Sequence, residues 1–249
     1  MQPTAKYIPG TGNPNALIAI VGEAGGAYEE REGKPFVGPS GRILTECCAE
    51  AGISRPSCWL TNVVPYRPPN NDFNRLSEIG VDLQEQTDRL FRELKNVNPN
   101  VVVAVGDKAL HALTGLNGIS KYRGSILKGY DGFKVVPMIH PATLLHSEEG
   151  GTEKGGAKYW IRNIIPFDLK RAKEESKSKQ IDLPLRTLEI AKGSWDVFNF
   201  LDRFEKYFYL GLDIDIESIR SYPVCVSIAF RSSEAICIPL FREIMGVKL

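Results

Sequence analysis

Apolar residues in this chain fall into short runs that end abruptly on glycine, proline or asparagine, with amphipathic stretches between them. Ala16 to Val21 is apolar throughout and rich in branched side chains, which predicts a buried strand. The run stops on Gly22-Glu23-Ala24-Gly25-Gly26, and a polar loop leads on to Pro35-Phe36-Val37-Gly38, an aromatic held between proline and glycine. Ser40 is the expected N-cap of a helix running to about Ala51 and closed by Gly52. Trp59 to Val64 predicts a second strand, ended by Pro65 and the Pro68-Pro69-Asn70-Asn71 stretch. Leu83, Leu90, Phe91 and Leu94 mark an amphipathic helix over Val81 to Leu94. A third strand, Val101 to Val105, turns at Gly106-Asp107 into a helix over Lys108 to Leu113. A hairpin-like stretch around Gly129 to Gly132 precedes a fourth strand, Lys134 to Met138, which runs into His140-Pro141. Strands alternating with helices predict a parallel sheet covered by helices on both faces.

In such a sheet the carboxyl ends of the strands lie on one side, where ligands bind. Three of the four ends carry special residues: the glycine-rich turn after strand one, Asn62 in strand two, and His140-Pro141 after strand four. Each alone has a plain structural reading, since a glycine turn can cradle a phosphate, a nucleotide or nothing. A buried asparagine braces a loop as readily as it reads a ligand. Their convergence favours function and names no substrate.

Composition narrows the picture further. A chain of 249 residues suggests one large or two modest domains. With 43% hydrophobic and 24% charged residues it reads as an ordinary soluble chain. A net charge of +1 excludes a global basic field, so a nucleic-acid partner has to meet a local patch. No apolar stretch approaches membrane-spanning length and the first residues do not form a signal peptide, so a cytoplasmic protein is the expectation, and a monomer is expected. The five cysteines, Cys47, Cys48, Cys58, Cys225 and Cys237, contain no CxxC pair, and the three histidines make no helical metal pair. No metal site is readable from them.

The segments GEAGGAYEEREGKPFVGPSG, TNVVPYRPP, KYRG and HPATLL, in this order and spacing, resemble the family 4 uracil-DNA glycosylases over roughly Ile8 to Leu169. The resemblance implies a three-layer α/β/α sandwich with a central four-stranded parallel sheet, acting on uracil extruded from DNA. It implies that Phe36 stacks on the uracil, Asn62 bonds its Watson–Crick edge, and His140 donates to the carbonyl oxygen that gains charge. Gly22 and Ala24 would hold the ring through the turn backbone, Glu29 would crowd out the 5-methyl of thymine, and Glu23 would orient water or stabilise the cationic sugar. Lys34, Arg67, Lys121 and Arg123 are expected at phosphates, with Leu144 and Leu145 as wedges in the emptied space. The partner implied is uracil-containing DNA.

The chain also departs from that family's pattern. The family carries four cysteines for a [4Fe–4S] cluster, two of them near the N-terminus, whereas no cysteine precedes Cys47 here and Tyr66 stands at the third ligand's place. No iron–sulfur cluster and no other cofactor is therefore expected. Gly25 replaces a proline in the glycine-rich turn, and His146 replaces a basic arginine at the end of the last motif. Domain limits of 1–172, a charged linker over 173–186 and a second segment over 187–249 are expected from the run KRAKEESKSKQ and the new pattern from Thr187. That second segment reads as a helix around Trp195 to Phe204 and strands over Tyr209 to Ser218, Val224 to Phe230 and Ala235 to Leu240. It resembles the opening of the 3′–5′ exonuclease domain of family A DNA polymerases, a small α+β piece of an RNase H-like fold. The resemblance makes Asp215 and Glu217 metal-binding carboxylates in an incomplete motif, so no exonuclease activity is expected. Two readings compete: an active glycosylase with an appended exonuclease fragment, and the non-catalytic DNA-binding front of a phage-like polymerase that works among replication proteins.

Overall fold

The branched apolar runs form the centre of the first part of the chain. The computed structural model describes residues 4–145, 155–182, 187–203, 211–217, 222–231, 234–239, 243–244 and 247–248. They fall into two units, Met1–Ile181 and Asp182–Leu249.

In the first unit, strands β1 (Thr11–Gly12), β2 (Ile18–Ala24), β3 (Trp59–Val64), β4 (Val101–Val105), β5 (Leu127–Lys128) and β6 (Lys134–Met138) form one sheet. Helices α1 (Ala27–Glu32), α2 (Pro39–Glu50), α3 (Leu83–Val97), α4 (Asp107–Thr114), α5 (Ile119–Tyr122) and α6 (Gly155–Glu175) connect and cover the strands. The strand order is β1-β3-β2-β4-β6-β5. The neighbours β3–β2, β2–β4 and β4–β6 run parallel, while β1 and β5 close the two edges antiparallel. The sheet is thus six-stranded and mixed, with four parallel strands at its centre and a short antiparallel strand at each edge. Each added edge strand has only two residues, too few to carry a periodicity. Gly12 makes the first edge possible, because a Cβ there would lie 2.0 Å from the Cys58 carbonyl oxygen.

Successive strand residues face opposite ways, so β4 feeds both halves of the core. Val101, Val103 and Val105 pack with α2 and α6, whereas Val102 and Ala104 pack with α3 and α4. Leu90 and Leu94 of α3 are fully buried, each contributing roughly 1.5–3 kcal/mol relative to exposure. Asp82 caps that helix by accepting the Glu85 N–H at 3.0 Å. The α2 helix begins one residue earlier than the expected Ser40 cap. Gly38 takes the cap position and Pro39, with its preset φ and missing N–H, opens the first turn.

The charged run after Asp168 starts as the last turns of a helix. Helix α6 continues to Glu175, and Ser176 is buried. The Lys134 ammonium, itself almost wholly buried, donates to the Glu175 carbonyl and carboxylate at 3.1 Å each and to the Ser178 carbonyl at 2.8 Å. Its apparent solubility in the sequence hides these carbonyl and carboxylate contacts to a buried lysine.

In the second unit, β7 (Thr187–Ile190), β8 (Gly211–Glu217), β9 (Tyr222–Arg231) and β10 (Glu234–Pro239) pair in the order β7-β10-β9-β8. Helix α7 (Ser194–Asp202) buries Phe200 against Ile236 of this sheet. Asp215 and Glu217 fall on β8, and their side chains lie outside the described residues, as does His146.

Candidate active site

Loops from three strand ends meet around a cleft of about 630 Å³. The end of β2 supplies Glu23 and Ala24, α1 Glu29, the loop behind it Phe36, β3 Asn62, and the loop after β6 His140 and Leu145. Gly22 underlies the group: a Cβ there would lie 2.4 Å from Asn62 Oδ1 and 2.6 Å from Phe36 Cζ. Only glycine lets the ring and the amide approach the backbone this closely.

Asn62 is 5% exposed and turned to the cleft, and among the described residues its side-chain amide makes no hydrogen bond. A buried amide without a partner is costly, by about 1–3 kcal/mol, unless a ligand or water satisfies it. Its main chain is fixed from behind, where Arg89 Nη2 donates to the Asn62 and Val63 carbonyls at 2.6 and 3.1 Å. His140 packs over Gly106, whose φ of +87° admits the ring. Its Nδ1 accepts the Ala142 N–H at 3.1 Å. A neutral imidazole held this way carries its proton on Nε2, as a donor.

The two glutamates of the turn differ. Glu29 is buried, and its carboxylate accepts three backbone N–H groups, Gly26 at 3.1 Å, Val37 at 3.0 Å and Gly38 at 2.8 Å. It therefore organises two loops as well as lining the cleft, a role the motif gave no hint of. Glu23 makes no such bonds among the described residues, and burial pushes its carboxyl above the ordinary range against the pull of nearby Lys108. Gly25, in place of the family's proline, leaves room that Ile8 fills, since a Cβ there would meet Ile8 Cδ1 at 2.2 Å.

The expected DNA contacts separate. Lys34 and Lys121 are exposed, and Lys121 lies 5.2 Å from the Tyr122 ring centre. Arg67 is engaged by Glu30 at 3.3 Å and by Asn71. Arg123 turns inward onto the fully buried Asp168 carboxylate, a fold contact in place of the expected phosphate contact. Leu144 is 6% exposed and packs in the core, whereas Leu145 stands at the cleft edge. Tyr28, Ser40, Asn71 and Thr143 also line the cleft. Ser40 is read as a helix cap in the sequence, whereas Tyr28 in α1 and Asn71 and Thr143 in short single turns carry no signal of their place.

A [4Fe–4S] cluster takes four cysteine thiolates. The first unit has three cysteines, Cys47, Cys48 and Cys58, all fully buried. Burial pushes their thiols up to about 11, about 12 and about 11, so they stay neutral. Tyr66, at the family's ligand position, sets its ring edge on to Tyr7 at 5.6 Å. These residues do not fit the cluster.

An open α/β sheet with its polar cleft at the carboxyl strand ends defines the class, a domain that holds a small ligand at those ends. Residues 9–162 match the family model of the Uracil DNA glycosylase superfamily, and the chain belongs to that superfamily. It is 36% identical over 149 residues to the type-4 uracil-DNA glycosylase of Archaeoglobus fulgidus, covering 57% of this chain and 73% of that protein. The corresponding enzyme of Thermotoga maritima is 34% identical over 170 residues, covering 68% and 82%. A DNA polymerase of Bacillus phage SP01 is 26% identical over 264 residues, covering 98% of this chain and 25% of the polymerase.

Proposed function

We propose that the first unit is a uracil-DNA glycosylase that hydrolyses the N-glycosidic bond of uracil turned out of DNA into the cleft, the opening step of base excision repair. The observation that carries this reading is the cleft-facing Asn62 amide, without a side-chain hydrogen bond among the described residues, beside the Phe36 ring. An amide offers a donor and an acceptor side by side, which matches one face of a uracil edge and mismatches cytosine. Turning a base out costs a few kcal/mol, and stacking on an aromatic ring returns about 1–3 kcal/mol.

The bond to C1′ breaks with its electron pair leaving on the base, so negative charge gathers on the uracil carbonyl oxygen. His140 Nε2–H donates to that charge, with the ring oriented by the Ala142 N–H on Nδ1. Glu23, the cleft carboxylate without backbone ties, orients the water that adds to C1′ and takes its proton. The products are free uracil and an abasic site.

The test is excision from end-labelled oligonucleotides carrying one uracil, read as strand cleavage after alkali. Asn62→Ala should lower excision at least about tenfold, and His140→Ala by about 10²–10³, with binding of uracil-free DNA retained. A second reading, a non-catalytic DNA-binding front of a polymerase, draws on the alignment of nearly the whole chain with the phage polymerase. DNA binding by the wild-type chain with no excision at all would favour it.

A further inference from the structure

Phe36 has a φ of +55°, the left-handed region, which is unfavourable for a residue with a side chain because its Cβ crowds the backbone. Such a conformation persists only where the surroundings enforce it. The peptide group that follows Phe36 is gripped at both ends. Arg55 Nη2 donates to its carbonyl oxygen at 2.5 Å, and Glu29 Oε1 accepts its N–H, that of Val37, at 3.0 Å. Arg55 is anchored in turn on α2, where Nη1 donates to the Gly41 carbonyl at 2.8 Å and to Thr45 Oγ1. Gly41 lets that helix start directly against the loop, since a Cβ there would lie 2.0 Å from the Phe36 oxygen.

We infer that Arg55 is a positioning residue which, opposite Glu29, holds Phe36 in its strained backbone and so aims the ring into the cleft. A cation on the oxygen and an anion on the N–H fix the plane of one peptide. Relaxing Phe36 to negative φ rotates that peptide away from at least one of the two charges. Arg55 does not line the cleft, so its effect reaches the ligand only through Phe36. The guanidinium spans three acceptors on two segments, a fork geometry that a lysine ammonium cannot reproduce. Burial depresses the arginine's affinity for its proton, while the Glu29 charge works to retain it. The inference rests on the reading of Phe36 as the surface on which the base stacks, and the test separates the two.

Arg55→Lys and Arg55→Gln are compared with wild type by hydrogen exchange of the full chain, and by excision in the presence and absence of Phe36→Ala. Exchange of the segment holding Val37 and Gly38 should quicken at least about tenfold, with β4 unchanged, as one charge-assisted hydrogen bond is lost. Excision (kcat/KM) should fall about 10- to 100-fold in the wild-type background and less than about threefold when Phe36 is already alanine. Equal penalties in both backgrounds, unchanged exchange, or faster exchange throughout the sheet would each overturn the assignment. If wild type excises no uracil, the functional reading falls while the exchange comparison still decides whether Arg55 holds the loop.

Discussion

The loop that carries His140 is tied to itself. Ala142 N–H donates to the ring, Thr143 Oγ1 donates to the His140 carbonyl at 2.7 Å, and Thr143 N–H reaches the same oxygen at 3.0 Å. The loop that carries Phe36 is instead tied to residues elsewhere, with Glu29 on one side and Arg55, 19 positions on, at the other. Local hydrogen bonds shape the backbone of one wall, against which α2 and α6 also pack, whereas the other wall depends on two charges that the finished fold delivers. The second wall is the one whose backbone is strained, and it is the more exposed to distant substitutions.

Glu29→Gln should give the largest effect on this contrast. The amide puts an N–H against one of three backbone donors, so unfolding in urea should show a loss of about 1–3 kcal/mol and excision should drop about tenfold. Thr143→Ala, in the self-tied loop, should cost less than about 1 kcal/mol, because its hydroxyl is exposed. Equal losses would erase the distinction between the walls.

A smaller effect is expected with pH. Burial raises the Glu23 carboxyl, so it takes up its proton at higher pH than an ordinary glutamate, whose value is about 4.3. Excision should therefore decline on acidification with a midpoint above that value, and Glu23→Gln should remove the limb. Stability linked to this group runs the other way. The folded state holds the proton more tightly than the unfolded one, so Glu23 destabilises above its folded pKa and is relieved as pH falls through it. An acid limb that survives unmoved in Glu23→Gln would assign it to another group.

The smallest change should come from Leu145→Ala at the cleft edge, a loss of about two- to fivefold on duplex substrate and none on single strands, as expected of a side chain that fills the space left by a base. A matching loss on single strands would make Leu145 part of the ligand pocket instead.

What the sequence disclosed follows the same division. The runs Val101–Val105 and Lys134–Met138 are strands with the expected limits, because a short, mainly apolar run has one low-energy place in a covered sheet. Glu23, Phe36, Asn62 and His140 stand together at one end of the sheet because each follows or ends such a run. Residues whose role depends on a partner far along the chain were misread or unseen. Arg123 looked like a phosphate contact until Asp168 arrived beside it, and Arg55 carried no signal at all. Charge alone does not say whether a basic side chain faces water or a buried carboxylate.

The grip on Lys134 has a mechanical side. The ammonium sits at the start of β6 and holds the chain at Glu175 and Ser178, just before the first unit ends at Ile181. Tension drawn through the chain at that boundary loads this clasp before it reaches any strand. Releasing the clasp leaves a buried charge without acceptors, a penalty of several kcal/mol.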